Sequence, residues 1–415
     1  MAHKQTWLIE PRDPLVLGNG RGYIPFTDTQ GFRLPMPGTA AGTVRSAFVE
    51  DRAKIDDQRA RALLGIRIKG PWLVQERSEG NPKYSHWATP PADACWDFEK
   101  KVLLRAVIDR LGPGEGMLAP IGTHPLSFSC IPRIYDEAGL KTKACEEPWP
   151  LEWVVGWNLG RKIDPVVENL EPLHLEHRTH VTLDDATGTA ADGELFGSSG
   201  TRFPENWKLV VEVTASDDLS FPAEMGFVNL GGRSRLSFRK RLEEAAVPSF
   251  DSFRKDYGDC IEQALAKRTL RGLRLQLLTP AYLPTAGSDY GRPAWLPSWH
   301  GREPLRVTTG GDCVRHLKLA GVCLPGRCVV RSGWNLRSGQ QGAPRRVRRL
   351  VPAGTVYFLE IDPPSRVSTE DWIALCERFW YGFLDDKNPH DQESPERFRA
   401  SADADGCGIV LPGIW

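Results

Sequence analysis

Residues 7–22, WLIEPRDPLVLGNGRG, begin as an apolar strand and run directly into sequence rich in proline and glycine. The same change recurs at residues 275–293, LQLLTPAYLPTAGSDYGRP. This repeated pattern is expected of a chain with two modules, each of which begins with an apolar strand that leads to an irregular connection. We therefore expect a module from 1–215 and a second from 216–415, divided near residue 215.

Short apolar runs punctuated by 40 glycines and 33 prolines indicate many strands and few helices. Helical periodicity is best at residues 39–52, 250–270 and 370–383. Strands that alternate irregularly with helices favour an α+β fold over a doubly wound sheet, and two ferredoxin-like (RRM-like) modules fit this pattern. The runs that predict strands are TWLIE, PWLVQE, KLVVEVT, LRLQLL, CVVRS and TVYFLEI.

The composition describes a soluble globular protein with 53 basic and 53 acidic residues among 415. No apolar stretch approaches the roughly 20 residues of a spanning helix, and the N-terminus has no signal-peptide pattern. We therefore expect a cytoplasmic protein with no membrane contact. The nine cysteines form no C-x-x-C pair, which is typical of buried free thiols and not of a disulfide framework or a zinc site.

A net charge of zero argues against a protein whose whole surface binds polyanions, so any such site must be local. The charge is most uneven in the basic segment, residues 313–359, which contains no Asp or Glu. Trp334 offers a stacking plane there, and the arginines offer bidentate phosphate contacts. RNA or an acidic protein partner is favoured over a merely solvated surface. The arginines of greatest interest are Arg345, Arg346, Arg348 and Arg349.

The stretch FRLPMPGTAAGTVRSAFVED, residues 32–51, predicts a helix that begins after Pro37 among small residues. Its free N–H groups, helped by Arg45, would suit a phosphate. The alternative is a tightly packed first helix whose small residues permit close contact with a sheet.

Residues 178–203, RTHVTLDDATGTAADGELFGSSGTRF, predict a β-hairpin with little apolar content at its tip. Such an arm has no core of its own and should project toward a partner. Phe196 could act as a wedge between bases, with Arg178, His180 and Arg202 beside it near phosphates. An ordinary surface excursion is the alternative.

A glycine pair in VNLGGRSRLSFRKRLEE, residues 228–244, permits positive φ and close backbone approach to a ligand. Cations follow it without an acid until Glu243 and could clamp an RNA backbone. A solvated basic turn is the alternative. The candidate cations are Arg233, Arg235, Arg239, Lys240 and Arg241.

Catalytic and metal-binding motifs are weak. His174, His177 and His180 have i, i+3, i+6 spacing, which suits neither one strand face nor one compact helix face. The sequence contains no P-loop and no G-x-S-x-G motif. We therefore expect no metal, no cofactor, no catalytic residue and no enzymatic activity. A metal-independent ribonuclease would need a histidine or lysine at a 2′-hydroxyl, for which His180 and His3 are candidates.

Seven motifs in order resemble the RAMP superfamily, in particular the third-subunit family of the type III-B (Cmr) CRISPR module, which belongs to the group that caps the 5′ end of the guide RNA. The resemblance spans nearly the whole chain. The motifs are WLIEPRDPL, PMPGTAAGTVRSAF, the run from Arg178 to Phe196, LGGRSRL, LLTPAYL, GWN…PRRVRRLVPAGTVYF and GCGIVLPGIW.

The resemblance implies ferredoxin-like cores, a thumb hairpin over 178–203 and glycine-rich loops near RNA. It places Arg178, His180, Phe196 and Arg202 at the thumb, and Arg233 and Arg235 in the glycine loop.

The resemblance also implies partners and a role. The chain would be a non-catalytic subunit that holds the 5′ handle of the CRISPR RNA and bridges the large polymerase/cyclase-like subunit to the backbone subunits. It would meet target RNA only indirectly. The alternative within the same superfamily is a metal-independent endoribonuclease that processes repeat RNA.

Overall fold

The structure is a computed structural model, and the residues it describes fall into several ranges. They are 3–17, 34–51, 55–77, 83–97, 100–110, 130–134, 142–163, 173–232, 234–283, 305–308, 314–325, 329–331, 334–335, 343–344, 348–361, 367–384 and 405–415.

Helices are short in the part of the chain that the structure describes. None of them is long and apolar enough to cross a membrane. A 3₁₀ turn at Phe250–Ser252 precedes the fourth helix. The helices are α1 (Pro37–Ala47), α2 (Asp57–Leu64), α3 (Leu151–Asn158), α4 (Arg254–Ala266) and α5 (Thr369–Phe379).

Strands make up most of the described secondary structure. They are β1 (His3–Pro11), β2 (Arg67–Glu76), β3 (Tyr84–Ala88), β4 (Ala94–Asp97), β5 (Val102–Arg105), β6 (Val107–Arg110), β7 (Cys130–Arg133), β8 (Thr142–Ala144), β9 (Trp149–Pro150), β10 (His174–Leu183), β11 (Ala190–Arg202), β12 (Trp207–Ala215), β13 (Met225–Asn229), β14 (Leu236–Leu242), β15 (Gly272–Leu277), β16 (Leu305–Thr308), β17 (Val314–Cys323), β18 (Val329–Arg331), β19 (Trp334–Asn335), β20 (Ala343–Pro344), β21 (Arg348–Leu350), β22 (Val356–Ile361), β23 (Gly382–Phe383) and β24 (Ile409–Ile414).

The first large sheet has seven strands in the order β13-β14-β1-β12-β2-β3-β9. Its described pairs are antiparallel. β12 is buried along almost its whole length, with Val211 and Val213 in one apolar cluster and Val210 in another. A strand covered on both faces reads as a continuous apolar run, which explains why KLVVEVT lacks alternation.

The second large sheet has six strands in the order β16-β17-β22-β15-β24-β23. β15 and β24 are paired at its centre, and every residue of both strands is buried. The C-terminal GCGIVLPGIW thus contributes an inner strand of this sheet, paired with β15 on one side and β23 on the other.

One apolar core joins the two sheets. Helices α1 and α2 cover one face of the first sheet through a cluster that contains Trp7, Val44 and Leu63. On the opposite face, Leu8 and Val210 belong to a cluster shared with the second sheet, α3, α4 and α5. The mixed architecture with antiparallel sheets and few helices confirms the α+β prediction.

The predicted division near residue 215 coincides with the end of β12 but not with the end of the first sheet. Strands β13 and β14 follow it, and β14 pairs with β1. The first sheet therefore includes residues up to Leu242. Pairing between β14 and β1 is set by contacts distant in sequence, so local composition gave no sign of it.

Candidate nucleic-acid interface

The residues predicted as a hairpin form a separate two-stranded sheet of β10 and β11. Pairing starts at His174 opposite Arg202 and continues to Leu183 opposite Ala190. At the turn, the Asp184 carboxylate accepts hydrogen bonds from the N–H groups of Ala186 and Thr187, both at 2.9 Å. These bonds lower the pKa of Asp184, the bond from Thr187 most strongly, and so favour the ionised Asp184 carboxylate at the turn.

Polar contacts across the strands order the hairpin. His180 Nε2 lies 2.7 Å from Ser198 Oγ, and His177 Nδ1 lies 2.9 Å from Ser199 Oγ. Phe196 stands opposite His180 in the register, but its side chain lies outside the described residues. In the part of the chain that the structure describes, no group of three His, Cys, Asp or Glu side chains is placed to hold a metal ion.

The foot of the hairpin is the end at which His174 pairs with Arg202. Residues 14–17, here called the connector, lie between this end and the glycine loop at Gly231 and Gly232. Leu15 and Thr201 exchange two backbone hydrogen bonds of 2.8 Å. On the other side, the Gly232 N–H donates to the Val16 carbonyl at 2.7 Å. Two segments that the sequence singled out separately are therefore neighbours.

Gly231 shows why the glycine pair is needed. Its φ is +83°, and a Cβ there would lie 2.8 Å from the Val16 carbonyl oxygen. The preceding strand is also tied to α1, because Thr43 Oγ1 donates to the Asn229 carbonyl at 2.8 Å. The glycine loop thus lies between the connector and α1. Arg233, which belongs to this loop, lies outside the described residues.

The cations after the glycine loop alternate between the two faces of β14. Arg239 is 4% exposed, its guanidinium lies 4.5 Å from the Trp7 ring centre, and burial lowers its pKa. The prediction that Arg239 contacts RNA is wrong, because strand alternation turns it into the helix-covered core. Lys240 faces the other way and pairs with Glu10 at 3.3 Å. Arg235 is half-buried.

Arg45 lies in the last turn of α1, more than two turns from the helix N-terminus. Its guanidinium pairs with Asp405 at 2.6 Å and donates to the Ile66 carbonyl at 3.0 Å. Asp405 is 1% exposed. The prediction that Arg45 assists a phosphate at the helix N-terminus is therefore wrong, and the residue ties α1 to the segment before β24.

Between β17 and β22, the described residues of the basic segment form a second arm, which consists of the strand pairs β18–β21 and β19–β20. Pairing is nested: β17 with β22, β18 with β21, and β19 with β20. Trp334 lies on β19 opposite Pro344. Arg348 lies on β21 opposite Arg331, and Arg349 is exposed. The side chains of Trp334 and Arg348, and the whole of Arg345 and Arg346, lie outside the described residues.

A polar cleft of about 1540 Å³ opens at the foot of the hairpin. Its walls come from the hairpin, the end of β1, the end of β2 and the start of β12. Arg178 and Arg202 were predicted as site residues, but the others were not, because they are scattered in sequence. The charged residues that line it are Arg12, Arg77, Lys83, Arg178, Arg202, Lys208, Glu10, Asp13, Glu76, Glu176 and Glu205.

The chain was compared with known protein families, solved structures and curated proteins. A family model described as CRISPR-associated protein (Cas_Cmr3) matches residues 7–382. A chain in the cryo-EM structure of the Type III-B Cmr-beta bound to cognate target RNA is similar over 98% of this chain and 96% of that chain, at 12% identity and a TM-score of 0.47. A chain in the cryo-EM structure of the Type III-B Cmr-beta bound to cognate target RNA and AMPPnP, state 1, is similar over 85% and 86%, at 12% identity and a TM-score of 0.40. No curated protein matches.

Proposed function

The chain belongs to the Cas_Cmr3 family of CRISPR-associated proteins, as a Cmr3-type subunit of a type III-B complex, and from this we propose that it holds the 5′ handle of the CRISPR RNA. It also bridges the large polymerase/cyclase-like subunit to the backbone subunits. The observation that carries the proposal is the family match over nearly the whole chain, because it gives one context to segments that are individually weak.

A ferredoxin-like module underlies the first sheet. β1 and β2 both run antiparallel to β12, so they are parallel to each other with β12 between them. Helix α1 connects β1 to β2, which makes a split β-α-β unit. β14 completes a four-strand order of β14-β1-β12-β2.

A second ferredoxin-like module underlies the other sheet. Its strand order β24-β15-β22-β17 repeats the order of the first module. β22 and β24 are both antiparallel to β15, and α5 connects them as the helix of a second split unit. The boundary between the modules then falls between Leu242 and Arg254.

The two arms occupy equivalent positions in these modules. The β10–β11 hairpin interrupts the connection from β2 to β12, and the second arm interrupts the connection from β17 to β22. In both modules this is the connection between the outermost strand of the four-strand order and the strand beside it. The equivalence supports the first hairpin as a thumb and gives the second arm, with Arg345, Arg346 and Arg348, an analogous role in binding RNA.

The role is binding, and not catalysis. The endoribonuclease alternative needs a general base at a 2′-hydroxyl, and the hairpin histidines instead lie against serines of the facing strand. Incubating the purified chain with labelled repeat RNA in the absence of metal tests this directly. Cleavage that disappears in His180→Ala would contradict the non-catalytic role.

A shortened hairpin tests the handle-binding role. Arg178 and Ser198 are paired in register, so an Asn-Gly turn can replace residues 179–197 without moving the foot of the hairpin. In the assembled complex, footprinting of the guide RNA should show lost protection at handle nucleotides. Unchanged protection with full assembly would refute the thumb.

The shortened chain needs a folding control. Residues 174–183 are exposed or half-buried, and none of them belongs to the described apolar clusters. The urea unfolding midpoint should therefore match that of the intact chain. A large decrease would mean that the hairpin supports the fold.

A further inference from the structure

Three glutamates at the cleft each pair with two cations, and the first is Glu10. Its carboxylate oxygens lie 3.1 Å from Arg12 and 3.3 Å from Lys240. Such a trio has a formal charge of +1, because one carboxylate neutralises only one of its two partners. Glu10 and Arg12 line the cleft, and Lys240 lies behind them on β14.

The second trio is Glu76 with Lys83 at 2.9 Å and Lys208 at 3.1 Å. The hydrogen bond from Lys83, assisted by Lys208 and opposed by burial, lowers the pKa of Glu76. The same bond raises the pKa of Lys83. Both shifts favour the ionised forms of Glu76 and Lys83.

The third trio is Glu176 with Arg178 and Arg202, the latter at 4.0 Å. All three residues line the cleft from the hairpin side. The hairpin thus adds one excess positive charge to a cavity whose other walls belong to the first sheet, and the six cations and five carboxylates that line the cleft sum to +1.

In each trio the most exposed side chain is a cation. Arg12 is 56% exposed against 17% for Glu10, and Arg202 is 72% exposed against 27% for Glu176. Lys83 likewise is 52% exposed against 28% for Glu76. A ligand that enters the cleft therefore meets cations held in place by carboxylates beneath them, an arrangement that favours an anionic ligand.

An exposed aromatic pair adjoins the cleft. Phe227 on β13 is 65% exposed and packs edge-to-face against Phe238 at 5.4 Å. The Arg12 guanidinium lies 5.7 Å from the Phe238 ring centre. Phe227 and Phe238 face each other in the register, on the side of the sheet that carries Glu10 and Lys240. A phosphate at Arg12 would thus have an open ring beside it.

We propose that this cleft binds successive phosphates of a single-stranded RNA through Arg12, Lys83 and Arg202, while a base of the same strand stacks on Phe227. The inference rests on the proposed function, because it identifies where the guide strand would lie. Phosphate alone would explain the cations but not the aromatic pair. A stacked base explains both, because single-stranded sites combine a cationic groove with aromatic platforms.

The test measures binding of the full chain to a single-stranded RNA that carries the handle sequence, by fluorescence anisotropy over a series of salt concentrations. The triple variant Arg12→Gln, Lys83→Gln, Arg202→Gln should reduce the salt slope by about 2, since each phosphate contact on a single strand contributes roughly 0.7. The matched control is Lys4→Gln: Lys4 is 60% exposed, pairs with Glu212 and lies on β1 about 25 Å from Arg12.

A second comparison separates stacking from charge. Phe227→Ala should weaken RNA binding by about 5- to 100-fold. It should leave binding of inorganic polyphosphate, measured by competition, unchanged. The triple variant should weaken binding of both ligands. If Phe227→Ala weakens neither, the cleft is an anion site without a base platform and the proposal fails.

Three outcomes distinguish this inference from the proposed function. RNA affinities of the triple variant within two-fold of the control, together with lost handle protection in the shortened-hairpin complex, would remove the cleft and keep the handle-binding role. If the complex retained a fully protected handle with the triple variant and also with the shortened hairpin, both would fall. If the triple variant lost a neighbouring subunit while keeping RNA affinity, the cleft would face protein, which also overturns the inference.

Discussion

Asp93 and Arg274 form a bidentate ion pair in the interior, with N–O distances of 2.8 and 2.9 Å and exposures of 1% and 2%. Asp93 precedes β4 in the first half of the chain, and Arg274 lies on β15 in the second. Trp157 Nε1 also donates to Asp93 at 3.1 Å. The Arg274 guanidinium lies 5.4 Å from the Phe358 ring centre. This network joins the halves at a point where neither charge reaches water.

Asp93→Ala should destabilise the chain by about 3–5 kcal/mol, because it leaves the Arg274 guanidinium buried without its counter-charge. Urea unfolding measures the change. Asp256→Ala is the matched control: its pair with Arg161 has a 2.7 Å distance, but both side chains are 43% exposed. That control should cost less than about 1 kcal/mol. Equal losses in the two variants would show that burial does not set the cost.

Gly406→Ala and Gly408→Ala separate a contact from a backbone preference. Both glycines have positive φ, +88° and +84°. A Cβ at Gly406 would lie 2.7 Å from the Ile68 carbonyl oxygen, whereas at Gly408 the nearest atom, Ala281 Cβ, is 3.8 Å away. Gly408→Ala should cost about 1–2 kcal/mol, the penalty for a left-handed residue. Gly406→Ala should cost clearly more. Similar unfolding midpoints would contradict the close approach of β2 to this loop.

The helices and strands were more predictable than the site. Periodicity predicted α1, α4 and α5, but α3 was missed because LEWVVGWN is buried on most sides and has no polar face. Helix α2 has eight residues and a single buried one, Leu63. Its start did carry a signal, since the Asp56 side chain accepts from the Arg59 N–H at 2.7 Å.

The site depended on contacts that no local pattern reveals. The connector lies between Thr201 and Gly232, which are 31 residues apart, and only the folded register brings them together. Glu10 and Glu76 were missed for the same reason. The burial of Arg239 could have been predicted from the sequence, because period-two alternation in LSFRKRL places Arg239 and Lys240 on opposite faces.

His86 should make stability depend on pH. Burial lowers its pKa from 6.5 to about 4. The unfolded chain therefore takes up a proton below about pH 6.5 that the folded chain does not, so stability falls as pH decreases toward 4. Between pH 7.5 and 5 the loss should be about 2 kcal/mol. His86→Gln should lose that much less than wild type in urea unfolding. Identical pH profiles for wild type and His86→Gln would contradict the burial effect.

The second arm provides the last test, because its cations have no acidic residue in the segment to neutralise them. Replacing Arg345, Arg346, Arg348 and Arg349 by Glu should weaken guide retention or assembly of the complex, since the reversal turns attraction for phosphate into repulsion. Replacement by Gln should have a smaller effect in the same direction. Raising the salt concentration should reduce the difference between wild type and the Gln variant, because counterions screen exposed arginines.

Co-purification of guide RNA and neighbouring subunits measures both the loss of guide retention and the loss of assembly. Nuclease treatment before purification separates them: neighbours that stay bound to wild type but not to the Glu variant would mean that the arm faces protein. Unchanged assembly together with unchanged guide retention would show that the arm binds neither partner.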